Sequence, residues 1–482
     1  MKSSKRAGGT RVSRRAFLRG SGGALALATL SMSGCAPSAG PPPKLRMLGI
    51  THPVGAVQRL IVQHATAAAG EAAAQLELTS LEPNDLRAKL HQSAAAGQLP
   101  DLALVGAPDV VEQAGLERTR DLHATLDRVS GLNGALLPPL RDLVASGPSL
   151  DLPPGQPTPA YGVPYYTIGS VVLARRDLVG SALPIPAPGA SLSFDDLRGA
   201  AEKMTDAGGS RFGWGAPLAV GDSADQLGQV ALLAAGAALF DGHGYRIVLN
   251  ANDARNALAA VTRLYRTDAG QPLAPDGALD WSLTAQAEAF ATGSVVQTLD
   301  FGGVYAALSD DAIRASTLAL PLPSGPKGWN AGATSTHFIL FGTSPAEATA
   351  RHFIERVLQP DRYDALARTG QGSFIPPYAY LTKGPYWDSD PNLPVYVAAT
   401  RGDPAHNYGL AALGTPAPAT LAVARVRGAW LLATVLRRLI LEPTNVDAAI
   451  NELLTTAATL AREAPLLQPT PAPTSLPFWM PN

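Results

Sequence analysis

Residues 89–106 read KLHQSAAAGQLPDLALVG and predict a helix, a turn and a strand in direct succession. The apolar run after Pro100 ends at Gly106 and has the length of a buried strand. Upstream, KLRMLGI at 44–50 and QLELT at 75–79 predict two more strands, each followed by a helical segment. Strands that alternate with helices at this spacing predict a parallel sheet with crossover helices, the pattern of an α/β protein.

Two candidate binding residues follow from this sheet alone. In open α/β sheets, ligands bind outside the carboxyl ends of the parallel strands. Those ends carry His52 after the first predicted strand and Asp109 after the third. Each residue is therefore a candidate ligand contact, with an ordinary surface loop residue as the alternative.

A second α/β segment follows the prolines between 153 and 164. Its first helix is predicted within SFDDLRGAAEKM at 193–204, with Ser193 as the N-cap. Strand patterns return within GSVVQTLDFGGVYAAL at 293–308, and the end of the chain is helical. This order predicts two α/β lobes between which the chain crosses more than once.

The N-terminal stretch 13–35, SRRAFLRGSGGALALATLSMSGC, predicts export. Arg14 and Arg15 resemble a bacterial twin-arginine signal, and the apolar run that follows is shorter than the ~20 residues that span a bilayer. Cys35, the only cysteine of the chain, stands where a lipobox places its acylated residue. The alternative is a cleaved signal with an incidental buried cysteine.

Composition and motifs argue against several function classes. Among the 482 residues, 38 basic and 39 acidic side chains nearly cancel, so no general attraction to nucleic acid is expected. The sequence contains no His-Glu-x-x-His zinc motif, no phosphate loop and no Gly-x-Ser-x-Gly nucleophile elbow. We therefore expect no cofactor, no bound metal and no enzymatic activity, with an exported hydrolase as the less favoured alternative.

Several stretches together resemble the maltose-binding-like substrate-binding lipoproteins of ABC importers, which form the extracellular solute-binding protein family 1. The resemblance rests on their order along the chain, since no single stretch is diagnostic. The segments are KLHQSAAAGQLPDLALVG at 89–106, YGVPYYTIGSVVLARRDLV at 161–179, SFDDLRGAAEKM at 193–204, AAGAALF at 234–240, AEAFATGSVVQTLDFG at 287–302, LALPLPSGPKGWNAGATSTHFIL at 318–340 and LARTGQGSFIPP at 366–377.

This resemblance implies a two-lobe, type II periplasmic-binding-protein-like fold, in which each lobe has a central sheet flanked by helices. A hinge would close the lobes over a solute, most simply a sugar, for delivery to an ABC permease. The receptor would be a monomer held on the outer face of the cytoplasmic membrane by lipidated Cys35. A receptor of the same fold for a polyol, polyamine or peptide is the alternative.

The resemblance also implies a division of the chain. The predicted segments are a signal peptide at 1–35, a proline-rich spacer at 36–43, an N-terminal lobe at 44–164 and 296–342, a C-terminal lobe at 165–295 and 343–466, and a proline-rich tail at 467–482.

By position in the family's pattern, further residues are expected to contact the solute. Aromatic rings stack on the C–H faces of sugars, and carboxylates and amides bind their hydroxyls. For each aromatic residue, packing in the core or the hinge is the alternative. The candidates are Tyr165, Tyr166, Asp300, Phe301, Tyr305, Trp430 and Gln229, with Gln226 and the loop around Trp329 as neighbours.

Overall fold

The computed structural model describes residues 42–146, 157–186, 191–206, 208–219, 221–325, 332–401 and 419–464. The chain from Pro42 onward forms one unit, which contains all of these residues. Arg14, Arg15, Cys35 and Trp329 lie outside the described residues, as do the predicted signal peptide, most of the spacer and the tail.

Five strands form the first sheet in the order β2-β1-β3-β9-β4. β1 pairs in parallel with β2 and β3, which confirms the parallel arrangement predicted from strand and helix spacing. β9 pairs antiparallel with both β3 and β4. The strands are Lys44–Ile50 (β1), Gln75–Leu81 (β2), Leu102–Gly106 (β3), Val163–Gly169 (β4) and Ala333–Leu340 (β9).

Four strands form the second sheet in the order β6-β7-β5-β8. β5 pairs antiparallel with β7 and β8, and β6 pairs in parallel with β7. All residues of β5 and β7 are buried, as expected for central strands covered on both faces. The strands are Val171–Arg175 (β5), Phe212–Trp214 (β6), Val295–Asp300 (β7) and Thr317–Leu320 (β8).

Helices cover both sheets. In chain order the α-helices are Gly55–Glu71 (α1), Pro83–Ala95 (α2), Ala107–Gly115 (α3), His123–Asn133 (α4), Pro138–Ala145 (α5), Arg176–Val179 (α6), Phe194–Met204 (α7), Asp222–Ala234 (α8), Ala251–Thr262 (α9), Leu283–Ala291 (α10), Val304–Ala307 (α11), Asp311–Ser316 (α12), Glu347–Val357 (α13), Pro360–Gly370 (α14), Pro385–Asp388 (α15), Leu393–Arg401 (α16), Leu421–Gly428 (α17), Leu431–Leu441 (α18) and Val446–Glu463 (α19). Short 3-10 helices span Asp276–Asp280, Ala379–Thr382 and Pro443–Asn445. Within the described ranges, no helix is both long and apolar enough to cross a bilayer.

Local sequence explains where individual helices lie and begin. In α1, the buried residues Val57, Ile61, Ala65 and Ala68 recur at helical spacing and pack against the core. The hydroxyl of Ser193 accepts a hydrogen bond from the backbone N–H of Asp196, whose carboxylate accepts one from the N–H of Ser193. This reciprocal capping box confirms Ser193 as the N-cap of α7.

The strand pairing divides the chain differently from the predicted lobe boundaries. β7 and β8 fall within 296–342, which was expected in the N-terminal lobe, yet both belong to the second sheet. Conversely, α13 and α14 pack against α1 beside the first sheet, although 343–466 was expected in the other lobe. Alternation of apolar residues identifies a strand but does not identify its pairing partner, so sheet membership was not available from sequence.

The chain passes from the first sheet to the second at Ser170, the single residue between β4 and β5. Helix α16 packs against β4 and β9 of the first sheet and against β5 and β8 of the second. The crossover is therefore covered by a helix that contacts both sheets.

Candidate functional site

Two candidate regions lie where elements of the first sheet meet elements of the second. One surrounds a cavity beside the carboxyl end of β1. The other is a group of charged, amide and hydroxyl side chains with one tryptophan, beside the carboxyl end of β3, which we call the inter-sheet polar cluster. It consists of Arg87, Asp109, Ser170, Asp225, Gln226, Gln229, Arg427 and Trp430.

The cavity has a volume of about 390 Å³ and lies between the β1–α1 turn and helices α10 to α12. Small-molecule sites in proteins commonly measure about 300–1,000 Å³, so a solute of monosaccharide or disaccharide size is compatible with this space. Two carboxylates, Glu288 and Asp310, belong to its wall. The lining residues are Pro53, Val54, Gly55, Leu283, Thr284, Ala287, Glu288, Ala291, Ala307, Leu308, Ser309, Asp310 and Ile313.

An arginine–aspartate pair joins α2 to α3 in the polar cluster. The Arg87 Nε donates to Asp109 Oδ1 over 2.7 Å, and Nη2 lies 2.7 Å from the same oxygen. The two side chains are only 17% and 12% exposed. Burial of a charge is costly unless the charge is paired, so each of these groups depends on the other.

A second pair joins α8 to α17. Arg427 and Asp225 form an ion pair in which the side chains are 6% and 2% exposed. Asp225 Oδ1 also accepts hydrogen bonds from the backbone N–H groups of Leu432 and Ala433 at the start of α18, over 2.9 and 3.4 Å. One carboxylate thereby balances a buried guanidinium and satisfies a helix N-terminus.

Gln226 on α8 contacts the crossover, and Gln229 lies on the same helix. Ser170 Oγ donates to Gln226 Oε1 over 2.9 Å. One turn later, Gln229 is 2% exposed, and its Nε2 has no hydrogen-bond partner among the described residues. A buried donor left unpaired costs about 1–3 kcal/mol, which makes the Gln229 amide a candidate solute contact.

The predicted residues His52, Tyr165 and Tyr166 pack in the core. The ring centroids of Tyr166 and Phe374 are 4.9 Å apart, and those of His52 and Tyr166 are 5.3 Å apart. His52 Nδ1 accepts from the N–H of Val54, and Nε2 lies 2.9 Å from the carbonyl oxygen of Ser373. Burial lowers the pKa of His52 to about 4 and raises the pKa of Tyr166 to about 12. His52 is therefore neutral, and its two hydrogen bonds stabilise the turn between β1 and α1. It lies next to Pro53, which belongs to the cavity wall.

The Asp300 carboxylate is satisfied by hydrogen bonds from the protein itself. Its carboxylate accepts backbone hydrogen bonds from Gly303, Val304 and Tyr305 and a fourth from the hydroxyl of Tyr396, over 2.6–3.0 Å. The hydroxyl of Tyr305 donates to Asp390 over 2.5 Å. Phe301 is half-buried and packs against the main core. These groups brace the end of β7 and the loop that follows it.

Of the remaining predicted residues, Asp109 and Trp430 both contact Arg87 in the polar cluster, and Gln229 lies on α8 one turn after Asp225. Trp430 is half-buried and lies at the N-cap of α18, and the guanidinium carbon of Arg87 lies 5.8 Å from its ring centroid. None of the nine predicted binding residues is among the described residues that line the cavity. The nine predicted residues thus lie in three different places: in the core, around the loop after β7, and in the elements that form the polar cluster.

Sequence reasoning missed Arg87, Asp225 and Arg427. Each is a charged residue within a predicted helical segment: NDLRAKL at 84–90, SADQLGQVALL at 223–233 and LAVARVRGAW at 421–430. A charged residue on a helix more often faces solvent, so only the packing of α2, α8 and α17 distinguishes these three. Among the described residues, no group of three or more His, Cys, Asp or Glu side chains has an arrangement that could hold a metal ion.

Comparison with known proteins identifies one family model. The model described as bacterial extracellular solute-binding protein matches residues 62–395. No curated protein matches the chain.

Solved structures resemble the chain over most of its length. A sugar transporter protein of Arthrobacter chlorophenolicus with bound laminaribiose has a TM-score of 0.70 at 14% identity, covering 86% of this chain and 99% of its own. A solute-binding protein of Agrobacterium vitis with bound D-mannitol has a TM-score of 0.69 at 18% identity, covering 88% and 99%. Maltose-bound MalE3 of T. maritima has a TM-score of 0.68 at 18% identity, covering 86% and 99%. At these identities the similarity establishes a shared fold.

Proposed function

The chain belongs to the bacterial extracellular solute-binding proteins, and we propose that it is the receptor of an ABC importer for an uncharged, hydroxyl-rich solute such as a sugar or polyol. The resemblance predicted from the order of sequence segments is confirmed by this family, and the two-lobe α/β fold by its solved relatives. The proposal includes no catalytic step.

We assign one lobe to each sheet. The first lobe takes residues 44–169 and 332–401, and the second takes 171–325 and 419–464, with Ser170 in the connection between β4 and β5. The hinge would lie in the segments that connect the sheets. A solute that binds the closed arrangement more tightly than the open one would shift the population toward closure, and the closed surface would engage the permease.

The observation that carries the proposal is the Nε2 atom of Gln229, which has no hydrogen-bond partner among the described residues, on the helix that contributes Asp225 to a charge-balanced polar cluster. Two arginines and two aspartates neutralise each other there, so a charged solute would leave a buried charge without a counterion. Hydroxyl groups instead supply the acceptors that an amide donor needs. The bound laminaribiose, D-mannitol and maltose of the solved relatives are uncharged solutes of this kind.

A cationic solute, such as a polyamine, is the second candidate. Glu288 and Asp310 in the wall of the cavity favour it, because their carboxylates would attract an ammonium group. However, the Asp310 carboxylate already accepts hydrogen bonds from the N–H groups of Ala312 and Ile313.

Calorimetric titration of the mature chain carrying Cys35→Ser tests the proposal. Maltose, laminaribiose, D-mannitol and spermidine are titrated separately, and each mixture is analysed afterwards for products. We expect saturable binding of a sugar or polyol that is recovered unchanged. Binding of spermidine alone would favour the cationic candidate, whereas hydrolysis of the solute would contradict a receptor function.

The variant Gln229→Ala tests the site within the same experiment. Loss of a buried amide donor to the solute weakens binding by about tenfold, corresponding to roughly 1.4 kcal/mol. Gln271→Ala serves as the matched control, because Gln271 is exposed. Equal affinity of the Gln229→Ala variant and the control would place the solute elsewhere.

A further inference from the structure

Arg87 on α2 lies against Trp430 at the N-cap of α18. We propose that Arg87 covers one face of the Trp430 ring, so that a ring-shaped solute stacks there only after displacing this guanidinium. The proposal rests on the receptor function above, and it identifies Arg87 as an internal competitor that sets the affinity of the site.

The position of Arg87 is fixed from the side of the first sheet. Asp109 on α3 holds the guanidinium through Nε and Nη2, each 2.7 Å from Oδ1. The guanidinium carbon lies 5.8 Å from the ring centroid of Trp430. Separations within about 6 Å give a cation–π attraction, which is stronger where water is excluded.

The position of Trp430 is fixed from the side of the second sheet. Trp430 has a left-handed backbone conformation, with φ of +48°, which costs a non-glycine residue roughly 1–2 kcal/mol. The hydrogen bonds from Leu432 and Ala433 to Asp225 hold the turn that contains it, and Arg427 pairs with the same carboxylate. The ring is therefore presented to Arg87 by a turn that the polar cluster itself holds in place.

Gly428 makes the contact sterically possible. A Cβ atom at this position would lie 1.5 Å from Arg87 Nη1, so the guanidinium rests directly on the backbone at the end of α17. The neighbouring atoms belong to the flexible end of a side chain. An alanine at 428 would therefore displace Arg87 without forcing the backbone to move.

Competition by Arg87 predicts the direction in which solute affinity changes when Arg87 is removed. If a fraction of the protein holds Arg87 over Trp430, the apparent affinity for a stacking solute falls by that fraction. A cation–π contact of about 0.5–1 kcal/mol corresponds to roughly a two- to fivefold change in affinity. If Arg87 instead bound the solute directly, its removal would weaken binding.

The test compares Arg87→Ala, Gly428→Ala and the double variant. The matched controls are Lys89→Ala, which removes an exposed charge from the same helix, and Gly131→Ala, at a helical glycine where an added Cβ atom would meet open space. Affinity is measured for whichever of maltose, laminaribiose and D-mannitol binds the wild-type chain. Each single variant should tighten binding about two- to fivefold, and the double variant should gain no more than either one, because both remove one contact.

A ligand-free measurement keeps this inference separable from the receptor function. Acrylamide quenching of Trp430, taken as the difference between each protein and its Trp430→Phe counterpart, should increase in Arg87→Ala and Gly428→Ala and stay unchanged in the controls. This holds even if none of the three solutes binds, an outcome that would count against the sugar or polyol proposal alone. Unchanged quenching, or weaker solute binding by Arg87→Ala, would overturn the role of Arg87.

Discussion

At the scale of single residues, Asp300 illustrates how a polar side chain that looks available in the sequence is used by the backbone. Asp300 was predicted to contact the solute from its position in the family's pattern, after an apolar strand and before two glycines. In the structure the loop after β7 turns back over the carboxylate, which accepts hydrogen bonds from three backbone N–H groups and one hydroxyl. The sequence contains the acceptor and the glycines, but the fourth hydrogen bond comes from Tyr396 on α16, which is distant in sequence.

We therefore expect Asp300→Ala to destabilise the protein. The substitution leaves three buried N–H groups without an acceptor, and at about 1 kcal/mol or more each, the free energy of unfolding should fall by at least about 3 kcal/mol. Urea denaturation measures this loss, with the exposed Asp127→Ala as control. A stable Asp300→Ala variant that has lost solute binding would instead support the original prediction of a solute contact.

His52 makes stability depend on pH. Its folded pKa of about 4 lies below the ordinary value of 6.5, so the unfolded chain binds the proton more tightly. The contribution of neutral His52 to the free energy of unfolding is fully present above pH 6.5. As the pH falls toward 4, this contribution decreases by up to about 3 kcal/mol. Burial lowers the pKa of His337 to about 3, with the same sign.

The variant His52→Gln should consequently show a shallower loss of stability between pH 6.5 and 4 than the wild-type protein. Urea midpoints at half-unit steps of pH provide the measurement. His243→Gln, at an exposed position, should retain the wild-type slope. A His52→Gln variant with the same slope as the wild type would show that His52 does not titrate with folding.

At the scale of elements, the sequence predicted what local chemistry determines. The periodicity of α1, the capping box of α7 and the three parallel strands all follow from neighbouring residues. The pairing of β7 with β5 and of β9 with β3 does not, because these contacts join residues more than a hundred positions apart. For the same reason, the arginine–aspartate pairs of the polar cluster appear only once the helices are packed.

The packing of α16 on the crossover makes a specific prediction for Gly169 at the end of β4. A Cβ atom there would lie 2.2 Å from the carbonyl oxygen of Tyr396. Since that oxygen belongs to the backbone of α16, Gly169→Ala must shift the helix and should cost about 1–3 kcal/mol of stability. In Gly199→Ala, where the helical glycine has open space, urea denaturation should show equal or greater stability. Equal stability of both variants would mean that α16 is loosely held.

At the scale of the whole molecule, the family implies an exported protein, and we propose that the N-terminal segment directs export and anchors the chain. Arg14 and Arg15 precede a short apolar run, and Cys35 is followed by the spacer APSAGPPPK at 36–44. A proline-rich spacer is extended and semi-rigid, so it would hold a folded body away from a surface. Membrane attachment would then rest on lipidation of Cys35.

Cys35→Ser should release the exported protein from the membrane fraction. Acyl chains supply roughly 0.8 kcal/mol per buried CH₂ group, whereas the described residues contain no helix suited to crossing a bilayer. Fractionation of cells that express the full chain, followed by immunoblotting, measures the distribution. Replacing Arg14 and Arg15 with lysine should instead leave the precursor inside the cell, which separates failure of export from failure of anchoring. If Cys35→Ser remained with the membranes, the attachment would have to come from protein contacts, such as those with a permease, because the lipid would be gone.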